Sequence, residues 1–248
     1  MAKYDIIIPV YNQGEMTRRC LESVKAHSKD YRILLIDNGS DPEEWAMIVH
    51  RLAPMPYGDL GIRLPENIGF VKAVNIALGH STAPYIVLLN NDVEVAADWL
   101  DKLEEPFHYR YGKVGAVGCL STSSTTPRPK PEHRRGYEVL HDGDFLPFFC
   151  VMLSREAIEK TGLLNEAFGI GLHDDTEYCR RLQANGFKLA RTLDLTVYHK
   201  GQATFKELYT PEEIKEMIRK NALILEGKEE KENDADLQDS DSSSPAED

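Results

Sequence analysis

The chain has 248 residues, 42% of them hydrophobic, and a formal net charge of −12. That is enough apolar material for one large domain or two small ones with a real core, and an acidic body argues against tight binding of duplex nucleic acid, which depends on neutralising phosphates. The acidity is uneven: residues 226–248 hold ten acids against two lysines, so −8 sits in a tail almost free of apolar residues. Low hydrophobicity with high charge predicts disorder for that tail, leaving residues 1–225 as the folded domain.

"YDIIIPV" (4–10) reads as a first strand, and "EMTRRCLESVKAH" follows with Met16, Cys20, Leu21 and Val24 at helical spacing. "YRILLID" (31–37) is a second buried strand. Asp41-Pro42 opens a helix through about Leu52, proline being favoured in a first turn. A short strand near Gly61–Leu64 leads to "ENIGFVKAVNIALGH", a helix with Val71, Val74 and Leu78 on one face. The strand 85–90 and a helix from about Asp98 to His108 complete the first half. Strand and helix alternate four times before residue 110, the pattern of an α/β fold with a doubly wound, mostly parallel sheet and helices on both faces.

The second half is less regular. "VGAVGCL" (114–120) is a strand, followed by a loop rich in Ser, Thr and Pro whose residues 128–135, "RPKPEHRR", are basic. That loop either covers a phosphate-bearing ligand or is a solvated connection. "DFLPFFCVMLS" reads as a strand, "REAIEKTG" as a short helix, and "HDDTEYCRRLQANG" as a helix stopped by Asn185-Gly186. "FKLARTL" and "LTVYHKG" read as two further strands, and an amphipathic helix from about Pro211 to Leu225 closes the fold. Cys20, Cys119, Cys150 and Cys179 lack metal-type spacing and suggest buried thiols in a reducing compartment. The N-terminus lacks a signal-peptide pattern, and no apolar run reaches the roughly 18 residues of a membrane span. A soluble, cytoplasmic protein is expected, with peripheral contact at the inner membrane face left open through Phe148-Phe149 or the last helix.

Open α/β sheets bind ligands beyond the carboxyl ends of their strands. Here the first strand ends in "PVYNQG", the second in "DNGS", and "YIVLLNNDVEV" delivers Asn90, Asn91 and Asp92. Adjacent tips would present Tyr11, Asn12, Asp37, Asn38, Asn67, Asn91 and Asp92 along one edge, where amides and carboxylates meet a base and a ribose. Gly69 would let backbone N–H groups at a helix start approach phosphate. No G-x-G-x-x-G follows the first strand and no G-x-x-x-x-G-K-[ST] occurs, which disfavours a nicotinamide enzyme and a P-loop hydrolase. Asp92 could hold a hard divalent ion against a diphosphate; its competing reading is a helix cap. Asp175, in "GLHDDTEYCRRL", shares a helix face with Cys179 and Leu182, and a helix start favours its ionised form, as a general base requires. An acidic first turn made for capping competes with that reading.

The order of these motifs resembles the family-2 inverting glycosyltransferases of the GT-A fold, particularly their rhamnosyltransferase-like branch. The resemblance is carried by "IIIPVYN", "LLIDNGSD", "ENIGFVKAVNIAL", "LLNNDVEV", "FFCVMLSREAIEKTGLLNEAF", "DDTEYCRRLQANGFKL" and "VYHKG", from Tyr4 to about Phe205. It implies a nucleotide-binding half, residues 1–110, and an acceptor and catalytic half, residues 111–225. Pro9, Tyr11, Asn12, Asp37 and Asn38 would line the nucleoside pocket of a nucleotide-sugar donor (UDP-, dTDP- or GDP-linked). Asn67, Gly69, Lys72 and Asn75 would lie beside the nucleotide and its diphosphate. Asn90-Asn91-Asp92 falls at the family's D-x-D motif, with Asp92 the acid that binds Mn²⁺ or Mg²⁺ and His199 completing the metal site. Asp175 would be the catalytic base. Two departures stand out: Asn90 replaces the first acid of D-x-D, and Glu177 replaces a usual Asp in the base motif. The implied acceptor is a saccharide, glycolipid or protein, with nucleic acid left open by the basic loop. A nucleotidyltransferase and a non-catalytic nucleotide-sugar-binding protein are the alternatives.

Overall fold

A computed structural model describes residues 2–49, 58–110, 112–122, 136–201 and 208–228. The basic loop 128–135, Leu52, Phe205 and the tail from residue 229 onward lie outside the described residues.

Among the described residues nine strands form one sheet: β1 (Tyr4–Val10), β2 (Tyr31–Asp37), β3 (Leu60–Arg63), β4 (Tyr85–Leu89), β5 (Val93–Glu94), β6 (Val114–Thr122), β7 (Tyr137–Val139), β8 (Cys150–Ser154) and β9 (Lys188–His199). Their order is β3-β2-β1-β4-β8-β6-β9-β5, with β7 paired to β9. Strands β1, β2, β3, β4, β6 and β9 run in one direction, and β5, β7 and β8 run against it. The mostly parallel sheet read from the alternation is therefore present. The carboxyl ends of β1, β2, β3 and β4 are neighbours, as their polar tips required.

Both faces are covered, so the central strands read as unbroken apolar runs rather than alternating ones. Along β1 the period of two sends Ile6, Ile8 and Val10 to one face and Ile7 to the other. The first face packs on α1 (Gly14–His27) through Cys20, Leu21 and Val24, and on α2 (Pro42–Val49) through Ile48. The second packs on α3 (Phe70–His80) through Val71, Val74, Ala77 and Leu78. Trp99, Leu100 and Leu103 of α4 (Trp99–Glu104) join the first face. Residues of α5 (Arg155–Thr161) and α6 (Asp174–Ala184) join the second, among them Ile158, Tyr178, Cys179 and Leu182. All four cysteines are buried free thiols. At the edge of the sheet away from the polar tips, fully buried Asp5 accepts a bidentate pair from Arg32 at 2.8 and 2.9 Å and backbone N–H groups from Thr82 and Ala83.

The last helix, α7 (Pro211–Leu225), starts where its sequence says: Thr210 and Glu213 form a reciprocal capping box with Pro211 in the first turn. Other expectations need correction. The reading of "FKLARTL" and "LTVYHKG" as two strands gives way to one strand, β9, whose register against β6 jumps between Gly118↔Arg191 and Leu120↔Thr196. The extra residues of β9 at that jump carry the polar stretch that looked like a break. In "DFLPFFCVMLS" only Cys150–Ser154 pairs as a strand; Leu146 and Phe148 are buried from a connecting segment. The helix expected from about Asp98 to His108 is α4 followed by a 3₁₀ turn at Glu105–His108, where Pro106 sits. Phe148 is buried against Tyr178, and the half-buried Phe149 stacks on His199. No helix among the described residues is long and apolar enough to cross one.

Candidate functional site

The carboxyl edge of the sheet carries a web of side-chain hydrogen bonds that shapes its loops. Asn38 Nδ2 donates to Asn67 Oδ1 at 2.9 Å, and Asn38 Oδ1 accepts from the Ile68 N–H. Asn67 Oδ1 also accepts from the Gly69 N–H. Asn12, at φ 52 in the left-handed region that asparagine tolerates, accepts from the Asp41 N–H, and its own N–H donates to Ser40 Oγ. The loops after β1, β2 and β3 thus form one connected rim. Gly69 is required by close approach: at φ 92, a Cβ there would sit 2.8 Å from the Gly169 carbonyl oxygen.

A cavity of about 290 Å³ opens inside this rim. One wall is polar, with Tyr11, Asn38, Asn67, Asn91, Asp92 and His199; Pro9 joins them. Much of the remaining lining is apolar and aromatic: Phe70, Ile170, Leu172 and, on or just before α7, Tyr209, Ile214 and Ile218. A second cavity of about 520 Å³ lies on the α1 side and includes Asn12; Asp92 borders both.

Asp92 is fixed by its surroundings. Its Oδ2 accepts from the Gly201 N–H at 2.9 Å, and Oδ1 lies 3.3 Å from His199 Nε2. β5 pairs with the end of β9, Val93 opposite His199, which brings the two residues together from 107 positions apart in sequence. Phe149 stacks on the His199 ring at 4.8 Å between centroids and sets its plane. Among the described residues no three potential metal-ligating side chains cluster. A carboxylate and an imidazole that face each other at the cavity wall nevertheless fit a hard or borderline divalent ion whose remaining ligands are phosphate oxygens and water.

At the start of α6 the two aspartates differ. Asp174 is 6% exposed, and burial, then the neighbouring Asp175 carboxylate, push its pKa up to about 7. It turns inward and accepts the first N–H groups of its own helix. Asp175 is less enclosed. Burial raises its pKa, while hydrogen bonds from the Thr176 N–H and hydroxyl, the positive side of His173 and the Phe148 N–H oppose the rise. Asp92 meets His199, and His199 stacks on Phe149; Asp175 itself lines neither cavity, and the smaller one reaches the loop before α6 at Ile170 and Leu172.

Some expected residues stand elsewhere. Asp37 is fully buried and faces its own turn, accepting from the Ser40 N–H at 3.0 Å with Arg63 Nε at 3.3 Å. Asn75 is buried in α3, bonds Leu164 and Glu166, and does not line the cavity. Lys72 is on the exposed face of α3 and does not line the cavity. The Val71 N–H donates to the Gly169 carbonyl and the Gly69 N–H to Asn67, so those two donors are engaged within the protein rather than turned to a phosphate. Asn91 lines the cavity but gives its amide to buried Thr17 of α1. Sequence reading missed the apolar wall on α7, although the spacing of Ile214 and Ile218 along an amphipathic helix was its visible signal.

The family model for Glycosyl transferase family 2 matches residues 5–162. The chain belongs to glycosyl transferase family 2. Over 230 residues it is 24% identical to the teichoic acid poly(glycerol phosphate) polymerase of Staphylococcus epidermidis, covering 91% of this chain and 31% of that protein. Over 103 residues it is 33% identical to an N-acetylglucosaminyltransferase of a Rhizobium species, covering 40% and 23% respectively. The chain thus spans less than a third of the length of either relative. Among solved structures, S. aureus TarS 1–349 in complex with UDP-GlcNAc superposes with a TM-score of 0.67 at 12% identity, over 89% of this chain and 66% of that one. The mannosyltransferase PcManGT of Pyrobaculum calidifontis, in complex with GDP-Man and Mn²⁺, gives 0.64 at 15% identity, over 90% and 69%. These likenesses establish the GT-A glycosyltransferase fold. They span several sugars and do not single out the rhamnosyltransferase-like branch within family 2.

Proposed function

We propose that this family-2 domain transfers a sugar from a nucleotide-sugar donor to an acceptor hydroxyl with inversion, Asp175 acting as general base and Asp92 with His199 holding Mn²⁺ or Mg²⁺. The observation that supports the reading is one cavity whose lining joins the polar strand tips, the Asp92–His199 pair and Leu172, three positions before Asp175.

In this reading the residues 1–110 hold the nucleotide and the residues 111–225 supply the base and the acceptor surface. Tyr11, Asn38 and Asn67 meet the nucleoside, and Pro9 packs beside it. Asp92 and His199 would hold a divalent ion, which when bound would offset the charge developing on the leaving diphosphate. An acceptor hydroxyl is a poor nucleophile at neutral pH, so its proton goes to the Asp175 carboxylate as the oxygen attacks the anomeric carbon from the face opposite the diphosphate. One base with direct displacement inverts the anomeric centre, whereas retention by double displacement needs a second carboxylate as nucleophile. Asp174 is the poorer base because its carboxyl is turned into the helix start. The donors of structural relatives, UDP-GlcNAc and GDP-Man, frame the search for this one. A saccharide, glycolipid or protein acceptor, met in the cytoplasm, completes the proposal.

A thermal-shift screen of UDP, dTDP and GDP, each with Mn²⁺, Mg²⁺ or EDTA, tests it, because a ligand that binds only the native state raises apparent stability. One nucleotide should raise the melting temperature, and more so with the cation. No shift from any nucleotide under any condition would reject the reading.

A further inference from the structure

We infer that Asn221, on α7, is a positioning residue for Asp175: its buried amide fixes the loop from which the start of α6 presents that carboxylate to the cleft. The inference rests on Asp175 being the base. Asn221 is the one buried residue of α7, a polar side chain where an amphipathic helix ordinarily buries apolar ones. Its Nδ2 donates to the Gly171 carbonyl at 2.7 Å and the Leu172 carbonyl at 2.9 Å, with the Phe168 carbonyl at 3.4 Å. The apolar residues of α7 do not explain the docking by themselves, since Ile218 is 40% exposed and lines the cavity; Leu225 packs at the core edge.

The loop so held is one that needs holding. Leu172 and His173 both have positive φ, 69 and 73, immediately before Asp174 and Asp175, and Gly169 and Gly171 are also in that half of the map. Non-glycine residues stay there only when their surroundings over-determine the backbone. Asn75 pins the loop's beginning through Leu164, and the Val71 N–H holds the Gly169 carbonyl. Beyond Gly169, the two carbonyls that precede His173 are bonded by Asn221. A purely structural asparagine would lower stability when removed; a positioning asparagine would lower turnover at saturating donor, because a small misplacement of a base is costly.

The test compares wild type with Asn221→Leu, which keeps volume and loses the donors, and Asn221→Gln, which keeps donors on a longer arm. Three quantities are read: nucleoside diphosphate affinity, kcat, and amide hydrogen exchange across residues 168–176. Asn221→Leu should leave nucleotide affinity unchanged, lower kcat by about a hundredfold, and speed exchange in that segment by about tenfold while β1 and β4 stay protected. Asn221→Gln should recover part of kcat. The inference is overturned if exchange in the segment is unchanged, if kcat is retained despite faster exchange, or if nucleotide binding and cooperative melting are lost together in both variants. A wild type that binds nucleotide but transfers nothing would sink the proposed function, and the exchange comparison would still judge the loop.

Discussion

Replacing Asp174 by asparagine should remove a pH dependence of stability that the wild type carries. Burial and the Asp175 charge lift this carboxyl from 3.8 to about 7. Between those two values the folded protein keeps the proton and the unfolded chain has lost it, so stability falls as pH rises through the window. At 1.36 kcal/mol per unit, the penalty approaches a ceiling of about 4 kcal/mol above pH 7, of which roughly 2–3 kcal/mol accrues between pH 5 and 8. Asparagine retains an oxygen to accept the N–H groups of the helix start and carries no charge. The assay is urea and thermal unfolding of both proteins at pH 5 and pH 8. The variant's stability relative to wild type should improve by roughly 2–3 kcal/mol on going to pH 8, or about 5–10 °C for a chain of this size. Asp175 is also raised by burial and acts with the same sign, so both proteins keep a residual slope. A stability difference that stays constant between the two pH values would refute the placement of a buried, proton-holding acid at this helix start.

Three further outcomes are expected. Asp5→Ala should destabilise by about 3–5 kcal/mol, because it leaves Arg32 uncompensated at the far edge of the sheet, while nucleotide affinity of the folded fraction stays at the wild-type value by titration calorimetry. Gly69→Ala should cost about 1–3 kcal/mol in chemical denaturation, since its φ of 92 is strained for an L-residue and the Cβ meets the Gly169 carbonyl. Asp92→Ala should abolish the extra thermal shift that Mn²⁺ gives a nucleoside diphosphate while leaving the apo protein folded; an undiminished cation effect would remove Asp92 from the ion site.

Much of the α/β core was legible because buried strands such as "YDIIIPV" and "YIVLL" are apolar on both faces and their helices keep a 3.6-residue spacing. The polar tips were legible for the same reason: a break from apolar strand to Asn and Asp is abrupt. What a sequence does not display is where a polar side chain turns. Asp37 and Asn75 have the composition of ligand residues, yet one faces its own turn and the other pins Leu164. Hydrogen-bond geometry decides between these fates: Asp37 meets Ser40 three positions on, whereas Asn75 meets Leu164 89 positions on. The irregular register that fuses two expected strands into β9 was hidden likewise, because a break in apolar pattern looks the same as a turn.

The central claim, that Asp175 takes the acceptor proton in a cleft where Asp92 anchors the donor, is tested most directly by Asp175→Asn. With a nucleotide sugar identified by the thermal-shift screen, sugar transfer and donor affinity are measured side by side at saturating donor. Turnover should vanish while the donor dissociation constant stays close to that of wild type. Undiminished turnover in the variant would contradict the account.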